Sequence, residues 1–264
     1  SGNNSGGNNS GTSRPPQGSG NTGGSSNSGG SNSSGNSSGT NKPPTVAAKL
    51  KVPPSDEQAP IREQVVKTFE LSQRKPIEDT LADARQLLTV GREPSENPTE
   101  RYVLLATAAR LAAESGDLTM ALDAVSAIEK DYDAEAGKMR MYLVDQFANS
   151  RAPANAKKQQ LNLIVQVLDE ALSQDLFEDV NGVVADLVRI KVTNEALTER
   201  RKTAREMQKV YQKVATAKQT LKDNPDDGAA NRIVGEYTAY HKLNWTDGLQ
   251  LLAKADDAGI RQAA

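Results

Sequence analysis

His241 is the only histidine of the chain, and Tyr237 and Tyr240 stand beside it on one predicted helix. An imidazole next to phenols suggests acid–base work, but a nucleophilic mechanism also needs a serine or thiol within reach. No such pattern accompanies it, so the expectation is a structural histidine. Carboxylates gather at Asp131, Asp133 and Glu135, at Asp226 and Asp227, and at Asp256 and Asp257. Paired acids are the equipment of glycoside hydrolysis or calcium binding. None of these runs has the Asp-x-Asp-x-Asp-Gly spacing of a calcium loop. All fall at predicted helix ends, where an acid caps free N–H groups and complements the helix dipole. Cysteine is absent, which excludes thiolate nucleophiles, cysteine-based zinc sites and iron–sulfur clusters. The glycines of the body are isolated and build no phosphate loop. These residues point to no catalytic group, no cofactor and no metal site, and therefore to a protein that is not an enzyme.

Binding chemistry has more to work with. Between Arg189 and Lys222 ten Lys or Arg stand against three Glu, while the rest of the helical body is acidic and the whole chain carries −2. Arg200, Arg201, Arg205, Lys209, Lys213 and Lys218 recur at helical spacings and mark one broad face. Leu197, Ala204, Met207, Val210, Val214 and Leu221 mark the other. Such a face would grip an anionic polymer or an acidic partner, or simply stand in solvent. Only Tyr211 lies among these cations, and readers of single strands interleave stacking aromatics, so no nucleic acid is expected as a partner. Trp245, predicted in a turn, is either an interface anchor or a wedge between the last two helices, and the wedge is the expected reading. Arg200, Arg201, Arg205, Lys209, Lys213 and Trp245 are the candidate partner-binding residues.

These side chains must be carried by helices. Ser55 with Gln58 reads as a capping box opening the first. A second starts near Pro76 and stops at Gly91. Asn97, Pro98 and Glu100 open a third that runs to Glu114, and Ser115-Gly116-Asp117 turns the chain into a fourth. Further helices are predicted at 134–149, 153–174, 177–192, 194–222, 228–243 and 246–255, with no β segment. Connections of two to six residues make consecutive helices antiparallel neighbours. Three segments share a helix–turn–helix shape, at 104–128, 161–190 and 233–253. Small residues, Ala109, Ala112 and Ala121 in the first and Gly235 in the last, would let the two helices approach closely. The fold class expected is all-α: an antiparallel helical-hairpin, tetratricopeptide-like array with a disordered N-terminal tail.

That tail is residues 1–43. Its first 40 positions hold 33 Gly, Ser or Asn and no large apolar side chain, so burial cannot offset chain entropy. A linker of this composition spans some 35–40 Å on average, at about 5–6 Å times the square root of its length. Residues 44–54 form a proline-containing lead-in, with a short extended stretch near 46–52, and 55–264 the helical-repeat domain. No run approaches 18 apolar residues, so no membrane span is expected. The start at Ser-Gly-Asn-Asn suggests a piece of something longer. The lack of cysteine suits an exported and a cytoplasmic chain alike.

Val52-Pro53-Pro54-Ser55-Asp56, Tyr102-Val103-Leu104-Leu105 with Ala112-Ala113-Glu114-Ser115-Gly116-Asp117, and Asn224-Pro225-Asp226-Asp227 followed by Asn244-Trp245 and Gly248–Lys254 form a set. Together they resemble an all-helical module of many large multidomain proteins of planctomycete bacteria, over roughly residues 50–257. The resemblance implies a tetratricopeptide-like fold, an exported, periplasmic or cell-surface location, and no catalytic residues. Members usually continue with another helix past Lys254, whereas this chain ends at Ala264, which leaves open whether its last hairpin is cut short. The expected function is a non-catalytic protein-interaction or spacer module whose partner is another protein or a flanking domain of the same polypeptide. The alternative is a module that binds an anionic polymer through helix 197–222. A minor one is a helical-toroid enzyme acting on polysaccharide.

Overall fold

The computed structural model describes residues 48–264, so the readings of 1–43 as a linker and of residues 44–47 lie outside the described residues. The described part is mostly helical, with twelve α-helices and one two-residue strand pair. In chain order the elements are β1 (Leu50–Lys51), α1 (Ser55–Thr68), α2 (Ile77–Arg92), α3 (Pro98–Glu114), α4 (Leu118–Asp131), β2 (Tyr132–Asp133) and α5 (Ala136–Ala148). They continue as α6 (Ala154–Gln159), α7 (Leu161–Ser173), α8 (Phe177–Arg189), α9 (Glu195–Asp223), α10 (Gly228–Glu236), a π-helical turn (Tyr237–His241), α11 (Trp245–Leu252) and α12 (Ala258–Ala263).

Several starts follow from their caps. Asn97, Asp117, Asn194, Asp227, Asn244 and Asp257 each accept a backbone N–H from the first turn they open. Ser55 does not cap: it is already helical, and the buried Gln58 instead donates to the Pro53 carbonyl at 2.6 Å. Gly91 is not a helix terminator either. It lies inside α2, where a Cβ would come within 2.9 Å of Leu105, so its bareness serves the packing of α2 on α3. Gly116 does adopt the left-handed conformation expected at the end of α3, with φ 92°.

The predicted helix 153–174 is two helices. Gln160 interrupts it, and its side chain clasps the turn after α3, accepting from Leu118 N and donating to the Gly116 carbonyl, both at 2.9 Å. The predicted helix 228–243 loosens into a π turn after Glu236, where Lys242 N bonds back to the Tyr237 carbonyl. The absence of strand is also corrected. Leu50 and Lys51 pair in parallel with Tyr132 and Asp133, fastening the lead-in to the end of α4. A pair this short leaves no periodicity to read.

Helices α1, α3, α5, α7 and α9 touch in succession, and α2, α4 and α8 pack between or behind them. One continuous apolar core runs from Val65 to Ala204, with Tyr132, Phe147, Leu105, Leu118 and Ile164 among its fully buried members. Ala109, Ala112 and Ala121 are buried in it, at the contact of α3 with α4. A second, smaller core joins Val214 and Ala217 of α9 to Ala230, Val234 and Tyr237. Gly235 belongs to this end, where a Cβ would meet Leu252 at 2.8 Å.

Candidate binding surfaces

A groove of about 540 Å³ lies over α1, α3 and α5. Ala106 and Val103 of α3 form its floor, Val66 of α1 and Met139 and Leu143 of α5 its walls, and the exposed Tyr142 stands at its edge. Three cations line it, and each is held by a neighbour. Arg62 donates to Gln58 Oε1 at 2.8 Å, Arg110 donates to both carboxylate oxygens of Glu114 at 2.7 and 2.9 Å, and Lys138 pairs with Glu135 at 2.6 Å. No carboxylate is among the residues lining the groove.

The basic face of α9 is less uniform than its spacing implies. Arg200 is tied to Asp169 of α7 by two bonds of 2.9 and 2.8 Å, so it serves the packing of α7 on α9. Lys218 lies over the rings of Tyr211 and Tyr237, at 5.1 and 5.8 Å from their centroids. Arg205, Lys209 and Lys213 are exposed, and Arg201 is half-buried. Among the described residues, Arg200 is the one cation of α9 in an ion pair. Val210, assigned to the apolar face, is 39% exposed and belongs to neither core. Arg201, Lys202 and Arg205 line a cleft of about 350 Å³ with Val184 and Val188 of α8.

On the α5 side of α8 the charge reverses. Asp145, Glu178, Asp179 and Asp186 share a shallow cleft of about 380 Å³ with Lys138. Burial first, and then the neighbouring Asp186, raise the Asp145 carboxyl above its ordinary value. Helix α8 therefore separates an acidic face from a basic one.

Trp245 does not wedge between helices. It opens α11, is 48% exposed, and meets the exposed Tyr240 edge-on at 5.3 Å, beside Leu243 at 73% exposure. The π turn directs Tyr237 inward and leaves Tyr240 in solvent. His241 is exposed, 5.4 Å from the Tyr237 ring, with no serine, carboxylate or other hydrogen-bond partner at its nitrogens among the described residues. The acidic runs are occupied structurally: Asp227 and Asp257 cap helices, Asp131 pairs with Arg101, Asp226 with Lys254, and Asp256 with Arg232. The Arg232 bond holds the Asp256 carboxyl below its usual range. Among the described residues no cluster of three His, Asp or Glu could hold a metal ion, and no helix is long and apolar enough to cross a membrane.

The groove residues Arg62, Ala106 and Tyr142 are absent from the sequence-based candidates. They come from three helices some 40 residues apart in each step, and nothing in the local pattern of any one helix marks them. Scanned against known protein families, curated proteins and solved structures, the chain matches none of them.

Proposed function

We propose that this chain is a non-catalytic protein-interaction module of the tetratricopeptide-like kind, working within a larger exported polypeptide. The observation that carries this reading is the groove over α1, α3 and α5. Its floor is apolar, it is lined by side chains of three successive odd-numbered helices, and its volume suits an inserted peptide side chain or short segment. Stacked helical units present such surfaces because each helix exposes only what its neighbours leave uncovered. The planctomycete-type resemblance supports the exported location. Binding would be driven by apolar contact on the floor, with Arg62, Arg110 and Lys138 orienting the polar backbone or carboxylates of the ligand at the edge. The polymer-binding alternative draws less support, since Arg200 and Lys218 are engaged within the fold.

Peptide-library selection against the chain tests the proposal. Selected peptides should lose about tenfold or more in affinity for Ala106→Trp, which fills the groove floor, and keep affinity for a bulky change on the outer face of α2. Peptides that bind the filled variant as tightly as the parent would overturn the assignment of the groove.

A further inference from the structure

We propose that the cleft between α8 and the first half of α9 is a docking site for an acidic, aliphatic-bearing segment of another polypeptide. It rests on the interaction-module reading only in taking the partner to be a polypeptide, and it uses a face different from the groove.

Thr198, Arg201, Lys202 and Arg205 line the cleft from α9, at spacings of three, four and seven residues, so they rise on successive turns of one helix face. Val188 of α8 forms the opposite wall, above Val184 one turn before it, which is fully buried in the core. Val188 is 44% exposed, unusual for a valine beside a core helix. The contacts of Phe177 with Tyr211 and of Asn181 with Gln208 pack the two helices against each other in opposite directions. A ladder of cations faces this one exposed aliphatic side chain, Val188, across about 350 Å³.

The cations lack partners. Among the described residues no carboxylate lies within ion-pair distance of Arg201, Lys202 or Arg205, although Arg200 next to them is doubly bonded to Asp169. The Arg201 Nε is closed off from solvent and donates to no group among the described residues. A buried donor without an acceptor is unfavourable, and an incoming oxyanion in the cleft would relieve the unbalanced charge around it. Arginine is suited to this, because its planar fork matches a carboxylate.

The choice of a peptide over a nucleic acid or sulfated polymer comes from the other wall. Val188 offers aliphatic contact, and the cleft has no ring for a base to stack on. Arg201 and Arg205 are about 6 Å apart along the axis, at 1.5 Å per residue. Carboxylates one helical turn apart on an acidic helix have that same separation, with aliphatic side chains between them to meet Val188.

The test is fluorescence anisotropy with the full chain. The probe is a labelled helical peptide of Glu, Ala and Leu with Glu at every fourth position. Its matched Gln peptide, a single-stranded oligonucleotide and a heparin fragment of equal charge are the comparisons. At about 150 mM salt, where screening acts over about 8 Å, the Glu peptide should bind at least about tenfold more tightly than any of the three. Arg201→Glu with Arg205→Glu should weaken it about tenfold or more, and Lys209→Glu with Lys213→Glu, further along the same helix, less than about twofold. If the double variant fails to fold, the exposed Arg205→Glu alone, and Val188→Asp against Val188→Leu, carry the same comparison. Ala106→Trp should leave this binding unchanged, so failure of the groove reading and failure of the cleft are read separately. The proposal is overturned by an oligonucleotide or heparin fragment binding as tightly as the Glu peptide, by no loss in the Arg variants, or by no binding of the Glu peptide.

Discussion

Tyr237 shows how a single hydroxyl can hold two distant parts of the chain. It is buried in the smaller core and donates to Asp175 Oδ1 at 2.5 Å, in the turn between α7 and α8. Lys242 pairs with the same carboxylate and also donates to the Ser173 carbonyl at 2.6 Å. Burial, then the bond to Asp175, raise the tyrosine pKa well above its ordinary value. The folded chain therefore keeps a proton that the unfolded chain gives up above pH of about 10, and stability falls as pH rises through that value. Tyr237→Phe should cost about 1.5–3 kcal/mol at neutral pH, the range for a lost hydrogen bond to a charged acceptor. Its stability should also decline less steeply than the parent's above pH of about 10, measured by urea melts across the alkaline range. Equal slopes for the two proteins would remove the tyrosine from that account. Gly116 is the other single residue on which much turns. Its φ of 92° already penalises any side chain, and a Cβ there would lie 2.4 Å from the Cβ of Ala152. Gly116→Ala should cost about 2 kcal/mol or more, and a melt within error of the parent would mean that this turn tolerates rearrangement.

At the scale of elements, helix beginnings were far more legible than helix ends. Asn97, Pro98 and Glu100 opened α3 as read, because the asparagine cap works through a bond to the third residue on, visible as spacing. Three helices close on left-handed residues that are not glycine, Glu70 after α1, Asp175 after α7 and Lys191 after α8; α7 ends within one residue of the predicted 174, while α8 stops three residues short of the predicted 192. Each is followed by an apolar residue whose N–H reaches back five positions, Leu71 to Val66, Leu176 to Ala171 and Val192 to Leu187. The hydrophobic residue thus completes a Schellman end without the usual glycine. Lys191→Gly should then stabilise the protein by about 0.5–1 kcal/mol, since glycine removes the steric cost of that conformation. A chemical-denaturation midpoint at or below the parent's would show the lysine contributing something else. The break at Gln160 was invisible for a related reason. Its cause is a side-chain clasp on residues 116 and 118, more than 40 positions away in sequence. The basic face of α9 was legible as composition, but which cations are free was not, because Asp169 and the ring of Tyr211 remove Arg200 and Lys218 from it.

For the described part as a whole, the long helix α9 is the joint between two unequal cores. Its 29 residues extend about 43 Å at 1.5 Å per residue, enough to serve both. Leu197 and Ala204 belong to the large core, while Val214 and Ala217 hold α10 and the π turn. Tyr211 lies at the crossing point, its ring edge-on to Phe177 of α8 and tilted against Tyr237, both at 5.6 Å. Each fully buried aliphatic or aromatic side chain contributes about 1.5–3 kcal/mol. The smaller core has only Val214, Val234 and Tyr237 of that size, beside two alanines. Opening α10 to α12 therefore exposes far less apolar surface than opening α3 to α5, and the free energy of opening should be correspondingly smaller. Native-state hydrogen exchange should find amides of 231–237 exchanging at least about tenfold faster than those of 104–109, a difference of about 1.4 kcal/mol or more. Tyr211→Leu removes both ring contacts at the crossing and should widen that gap, raising exchange at 231–237 while leaving 104–109 nearly unchanged. Uniform protection in the parent, or a Tyr211→Leu variant that loses protection equally at both ends, would mean that the two cores open as one unit. A graded response has a functional consequence. The groove over α1, α3 and α5 sits on the more stable core, so ligand binding there should be insensitive to opening of the C-terminal helices. The exposed Tyr240 and Trp245 belong to the part that opens first.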